Sequence, residues 1–111
     1  MKVGIIGQGY VGLTVAAFAG DHYQVVGYDK NPKVVEQLNS GISHIEGISS
    51  EKIATLSNSG RYRATTDGNE LNSCDVIVIA VPTPLDTKRK PDLSYVESAC
   101  DVIADNIDHP V

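Results

Sequence analysis

Apolar and polar positions alternate along this chain in blocks of two kinds. Lys2–Ile6 is a short apolar run that stops at Gly7, the pattern of a strand buried on both faces. Tyr10–Ala19 reads as a helix rich in small residues (Ala16, Ala17, Ala19) that can lie close to a sheet, with Gly20 as its stop. Gln24–Tyr28 is a second strand. Asn31-Pro32 is a helix start, a capping side chain followed by proline at the first helical position, and that helix runs to about Ser40 and ends at Gly41. A connecting stretch carries a short helix near Ser50–Leu56, and Arg61–Thr65 is a third strand. Asp67 and Glu70 have the spacing to cap one helical turn. Val76–Val81, apolar on both faces, is placed at the centre of the sheet. Ser94 and Glu97 have capping-box spacing ahead of a helix whose apolar face is Val96, Ala99, Cys100, Ile103 and Ile107. His109-Pro110-Val111 reads as the start of another strand.

Strand–helix alternation with short connections predicts an α/β fold, a Rossmann-type doubly wound parallel sheet in a single domain, cut short before its last strands. The chemistry is concentrated at its first turn. Gly7-Gln8-Gly9-Tyr10-Val11-Gly12 is a G-x-G-x-x-G between a strand and a helix, and Asp29 ends the following strand. In that setting Gly7 permits the tight turn, Gly9 lets backbone approach a pyrophosphate, and Gly12 lets helix and strand pack closely. The helix N-terminus offers free N–H groups and a positive dipole end to phosphates. An acid at Asp29 accepts ribose hydroxyls and repels a 2′-phosphate, which favours NAD over NADP. Lys30 beside it partly offsets that repulsion. FAD proteins use the same fingerprint.

Composition narrows the partners. The 111 residues are one domain's worth of core, 41 % apolar and 21 % charged, with no tryptophan and one phenylalanine, so aliphatic side chains must supply most of the core. A formal charge of −5 argues against nucleic acid and against an anionic membrane surface. No run approaches the roughly 20 apolar residues of a membrane span, and the N-terminal run is too short for a signal peptide. Cys74 and Cys100 lack zinc-site spacing and a disulfide pattern, so the expected setting is cytoplasmic with both thiols reduced, and both cysteines read as small buried residues.

Three segments together resemble the UDP-glucose/GDP-mannose dehydrogenase family: Gly7–Leu13 (GQGYVGL), Asp29 with Leu38-Asn39-Ser40-Gly41, and Val81-Pro82-Thr83-Pro84 with Pro91-Asp92-Leu93-Ser94-Tyr95-Val96. The resemblance covers nearly the whole chain. It implies that Tyr10 and Val11 give backbone contacts to the pyrophosphate, that Asp29 holds the adenosine ribose, and that Thr83 lines the nicotinamide side of the cleft. The implied cofactor-binding set is Gly7, Gln8, Gly9, Tyr10, Val11, Gly12, Asp29, Lys30, Val81, Pro82 and Thr83, with NAD as cofactor. Family members often carry a lysine two residues after the proline of the second helix; Val34 stands there and Lys33 directly follows Pro32, so a solvated Lys33 is at least as good a reading as one that contacts the cofactor.

The family oxidises the C6 hydroxyl of a nucleotide-linked hexose to a carboxylate, with two NAD and a cysteine that captures the aldehyde. That cysteine stands in a G-x-x-C-F-P-K motif that neither Cys74 nor Cys100 matches, so no catalytic residue is expected in these residues. The resemblance places the substrate and dimerisation domains beyond Val111, in a homodimeric full-length enzyme that takes a UDP-sugar. Gly41–Ile48 and Arg61–Asp67 look more like the branch acting on UDP-N-acetylhexosamines than like UDP-glucose enzymes. His44 reads as a surface loop histidine, His22 and His109 likewise, and nothing in the sequence requires Glu46 at the cleft rim. Two other readings stand beside this one: a stand-alone NAD-binding or sensing module without catalysis, and a relative of hydroxyacyl or phosphogluconate dehydrogenases, which lack the V-P-T-P segment.

Overall fold

The computed structural model describes residues 1–111. Four strands, β1 (Lys2–Ile6), β2 (Gln24–Tyr28), β3 (Tyr62–Thr65) and β4 (Val76–Ile79), pair in parallel in the order β3-β2-β1-β4. The register sets Val3 beside Val25 and Val76, and Ile6 beside Tyr28 and Ile79. Strand alternation then sorts the side chains to two faces. Val3, Ile5, Val25, Tyr62 and Ala64 meet one set of helices: Leu13 and Ala16 of α1 (Tyr10–Ala19), Leu38 of α2 (Pro32–Asn39), and Ile53 and Leu56 of α3 (Ser50–Asn58). On the other face Ile6 and Val26 pack with Leu71 and Cys74 and with Ala99 of α4 (Ser94–Asn106). The sheet is therefore doubly wound. Leu13, Leu38 and Ile53 are fully enclosed, and burial of each such side chain stabilises the fold by about 1.5–3 kcal/mol.

Local chemistry sets the helix ends. Asn31 Oδ1 accepts from the Lys33 N–H at 3.0 Å with Pro32 at the first helical position, and Gly41, at φ +79°, reverses the chain after α2. Ser49 caps α3 by accepting from the Lys52 N–H at 3.1 Å, and α3 runs to Asn58, two residues past the expected end.

Five expectations are corrected. β4 is an edge strand here, not the sheet's centre: it pairs with β1 alone. Its apolarity on both faces reflects the layers that cover them, Val78 packing on the α1 side and Ile77 on the α4 side. Asp67 caps a helical turn as expected, and only the part given to Glu70 is corrected. Asp67 Oδ1 caps a six-residue 3-10 helix, Gly68–Ser73, through the Asn69 N–H at 3.0 Å, while the Glu70 carboxylate turns to Thr65 and Arg63. Ser94 is not the cap of α4; the side chain of Asp92 accepts from the Ser94 N–H at 2.9 Å. The buried face of α4 is Ala99 with Val102, Ile103 and the flanking Ile107, and Cys100 lies on its exposed side. Finally, residues 107–111 form no strand. Between β4 and α4 the chain makes a small turn closed by an antiparallel bridge between Leu85 and Pro91. No helix is long and apolar enough to cross a membrane.

Candidate functional site

A cleft of about 680 Å³ opens at the C-terminal ends of β1, β2 and β4. This is where ligands of open parallel sheets bind, because helix N-termini and loops converge there. Its floor is the glycine loop. The Gly7 N–H continues the ladder to the Tyr28 carbonyl at 2.7 Å, and the chain then turns at Gly7 with φ +96°. A Cβ on Gly12 would lie 1.7 Å from the Gly7 carbonyl oxygen, so only glycine lets α1 rise this close to the turn. By contrast, a Cβ on Gly9 would meet no atom within 4 Å; its open side faces the space a ligand would fill. No side chain caps the first turn of α1, which leaves its N–H groups available to an anion. Tyr10 and Val11 line the cleft.

Gln8 lines the cleft with its backbone, but its side chain turns into the protein and is fully buried. Its amide donates to the carbonyls of Ile5 at 3.2 Å and Gly7 at 2.9 Å, and its Oε1 accepts from the Tyr62 hydroxyl at 2.6 Å. Burial, reinforced by the nearby Asp29 charge, pushes the Tyr62 phenol well above its ordinary value, so it stays a donor. This contact crosses β2 at Gly27, where a Cβ would stand 2.4 Å from Gln8 Oε1. The loop is thus pinned from beneath by a residue of β3.

Asp29, at the end of β2, has both carboxylate oxygens fixed. Oδ2 accepts from the Gln8 N–H at 3.0 Å and Oδ1 from the Asn31 N–H at 2.9 Å. Each oxygen keeps a further lone pair for a hydroxyl donor. The Lys30 ammonium does not pair with Asp29; it lies 5.3 Å over the ring of Tyr95, in the first turn of α4. Val81 and Pro82 line the β4 side together with Ile79 and Ala80. Thr83 is exposed and lies outside the lining residues, next to the turn closed by Leu85 and Pro91. The remaining members of the sequence-derived set that reach the cleft are therefore Gly7–Val11, Asp29, Lys30, Val81 and Pro82, with Gly12 packed below the loop.

The cleft also takes in residues that sequence reasoning did not assign: Asn31 and Val34 of the α2 start, His44 of the following loop, and Tyr95, Ser98 and Val102 of α4. Tyr95 belongs to the P-D-L-S-Y-V motif, which was the available signal. The position of Val34 shows why Lys33 is solvated: the proline-led first turn directs Val34, not its neighbour, at the cleft. Neither Cys74 nor Cys100 lines it. A second, polar depression of about 470 Å³ lies where the strands begin, around Lys2, His22, Arg61 and Asp75, and holds none of the motif residues.

These residues fit a dinucleotide: a cradle free of Cβ atoms at Gly9, open donors on α1, and a fixed carboxylate one strand away. Comparisons with known proteins agree. The family model for the UDP-glucose/GDP-mannose dehydrogenase family, NAD binding domain, matches residues 1–110. A UDP-N-acetyl-D-mannosamine dehydrogenase of Pyrococcus horikoshii is 36 % identical over 97 % of this chain and 26 % of its own length. Its counterpart in Escherichia coli K12 is 42 % identical over 92 % of the chain and 24 % of its own length. Among solved structures, GDP-mannose dehydrogenase of Pseudomonas aeruginosa superposes with a TM-score of 0.89 at 31 % identity, covering 93 % of this chain and 24 % of that one. The chain thus spans about a quarter of the length of the relatives it matches. With its glycine loop, fixed acid and doubly wound sheet, the chain belongs to the UDP-glucose/GDP-mannose dehydrogenase family, as that family's NAD-binding domain.

Proposed function

We propose that residues 1–111 are the cofactor-binding domain of an NAD-dependent UDP-sugar 6-dehydrogenase, with substrate and dimerisation domains supplied by further chain. The observation that carries the reading is the Asp29 carboxylate, fixed by two backbone N–H groups on the same cleft as the Gly7–Gly12 loop. In this reading the N–H groups of Tyr10 and Val11 hold the pyrophosphate, Asp29 accepts the ribose hydroxyls, and Val81 and Pro82 form the wall toward the nicotinamide. When bound, the nicotinamide takes up the hydride; the residues described here bind and orient it.

Kinship supports the substrate reading. The relatives at 36 % and 42 % identity are UDP-N-acetyl-D-mannosamine dehydrogenases, which supports a UDP-N-acetylhexosamine, the mannosamine form first and UDP-glucose next. The working protein is a cytoplasmic homodimer with no nucleic-acid or membrane partner, a role that suits the charge of −5.

Formation of NADH by the full-length protein, followed with UDP-N-acetylmannosamine, UDP-N-acetylglucosamine and UDP-glucose, tests both parts. Turnover should be fastest with an N-acetylhexosamine and should collapse in Asp29→Ala. Equal use of NAD and NADP by the wild-type protein would overturn the Asp29 assignment, and turnover with UDP-glucose alone would overturn the sugar.

A further inference from the structure

Lys30 follows the acid that discriminates against a 2′-phosphate, and it carries the opposite charge. A free ammonium at that position would neutralise Asp29 or attract the 2′-phosphate itself, since a lysine is a flexible point charge on a long stem. The Lys30 ammonium pairs with no carboxylate. Each Asp29 oxygen accepts one backbone N–H and keeps a lone pair open, yet Lys30 does not use it: the ion pairs of the chain are Lys52–Asp21 and Arg63–Glu70. The Lys30 ammonium is 5.3 Å above the centre of the Tyr95 ring, within the range of a cation–π contact. Tyr95 comes from a separate element, α4, and lines the same cleft.

We infer that Tyr95 is a positioning residue for cofactor specificity: its ring holds Lys30 away from Asp29, so the Asp29 charge meets the adenosine ribose undiminished. The inference rests on NAD occupying this cleft as proposed above. It assigns discrimination between NAD and NADP to residues of two separate elements, Asp29 after β2 and Tyr95 in α4, where the motif alone assigns it to Asp29. Tyr95 acts through Lys30, and the face of its ring is the active feature.

The test is the ratio of Kd values for NADPH and NADH, measured on the full-length wild-type protein and on Tyr95→Leu, Tyr95→Phe, Lys30→Met and the double variant Tyr95→Leu/Lys30→Met. Tyr95→Leu should lower the ratio by about three- to fivefold, the scale of one exposed cation–π contact. Tyr95→Phe, which keeps the ring face, should retain the wild-type ratio, and adding Lys30→Met to Tyr95→Leu should restore it. An unchanged ratio in Tyr95→Leu, or the same drop in Tyr95→Phe, overturns the inference. Lys30→Met gives an independent check that does not depend on α4: a several-fold loss confined to NADPH would show Lys30 already free to meet the 2′-phosphate, and would also overturn it. A wild-type protein that binds neither nucleotide instead removes the NAD reading itself, which keeps the two failures apart.

Discussion

The Tyr62 hydroxyl reaches across β2 to donate to Gln8 Oε1 at 2.6 Å, so the third strand holds the phosphate loop from below. Both groups are buried, and the contact passes over Gly27. Tyr62→Phe keeps the ring and strands a buried amide oxygen, at a cost of about 1–3 kcal/mol. Urea unfolding should show that loss, together with weaker NADH binding because the loop is no longer fixed. Unchanged stability would mean that water replaces the hydroxyl.

Gly9 and Gly12 should fail in different ways. An alanine Cβ at Gly12 would stand 1.7 Å from the Gly7 carbonyl oxygen, so Gly12→Ala should compromise folding itself. At Gly9 the added Cβ meets nothing within 4 Å. Gly9→Ala should therefore melt close to the wild type yet bind NADH more weakly by about tenfold or more, roughly 1.4 kcal/mol. Thermal melts and NADH titrations of the pair separate the two roles; parallel losses in both variants would sink the distinction.

The His109 ring faces a carbonyl oxygen on each side, Asn72 O at 2.6 Å from Nε2 and Pro110 O at 2.9 Å from Nδ1. Only the doubly protonated ring can donate to both. These carbonyls first, and Asp108 and Asp75 in addition, hold the imidazolium above its ordinary value of 6.5. Because the folded value is raised, the contact is complete below the ordinary value and is lost as pH rises through the folded one. NMR titration of the ring should place its midpoint above 6.5, and exchange of the Asp108 amide, which donates to Asn72 Oδ1, should quicken over the same rise. A midpoint below the ordinary value would contradict this.

The two thiols should differ sharply. Cys74 is buried among Leu71 and Ile77, and burial pushes its thiol up, whereas Cys100 is exposed on α4. A thiol reagent should label Cys100 in the native protein and reach Cys74 only on unfolding. Rapid native labelling of Cys74 would refute its enclosure.

Elements whose signals are local were legible before the structure: the glycine loop, the Asn31-Pro32 start, the short apolar strands and Asp29. What escaped depends on pairing between distant residues. Glutamine at position 8 carries no mark of its inward turn, because that is set by Tyr62 and by the missing Cβ of Gly27. Ser94 and Glu97 matched the capping box, yet Asp92 lay two residues before the helix and took the N–H first. Cys100 fitted the helical period of the apolar face, but α4 is rolled so that Val102 packs inward instead. Val76–Val81 showed which faces of the strand are covered and could not show which edges are paired. Tyr95 stood in a recognised motif, but its partner Lys30 is remote in sequence and the pair appears only in three dimensions.

That last strand has a practical side. β4 bonds to β1 on one edge only, and Val76 and Ile79 are 40 % and 38 % exposed. An open row of backbone donors and acceptors beside aliphatic side chains is a template for intermolecular pairing. No proline or lysine lies within Val76–Ile79 to blunt it. Produced by themselves, these residues should self-associate as concentration rises, and aggregation, more than unfolding, should limit how they are handled.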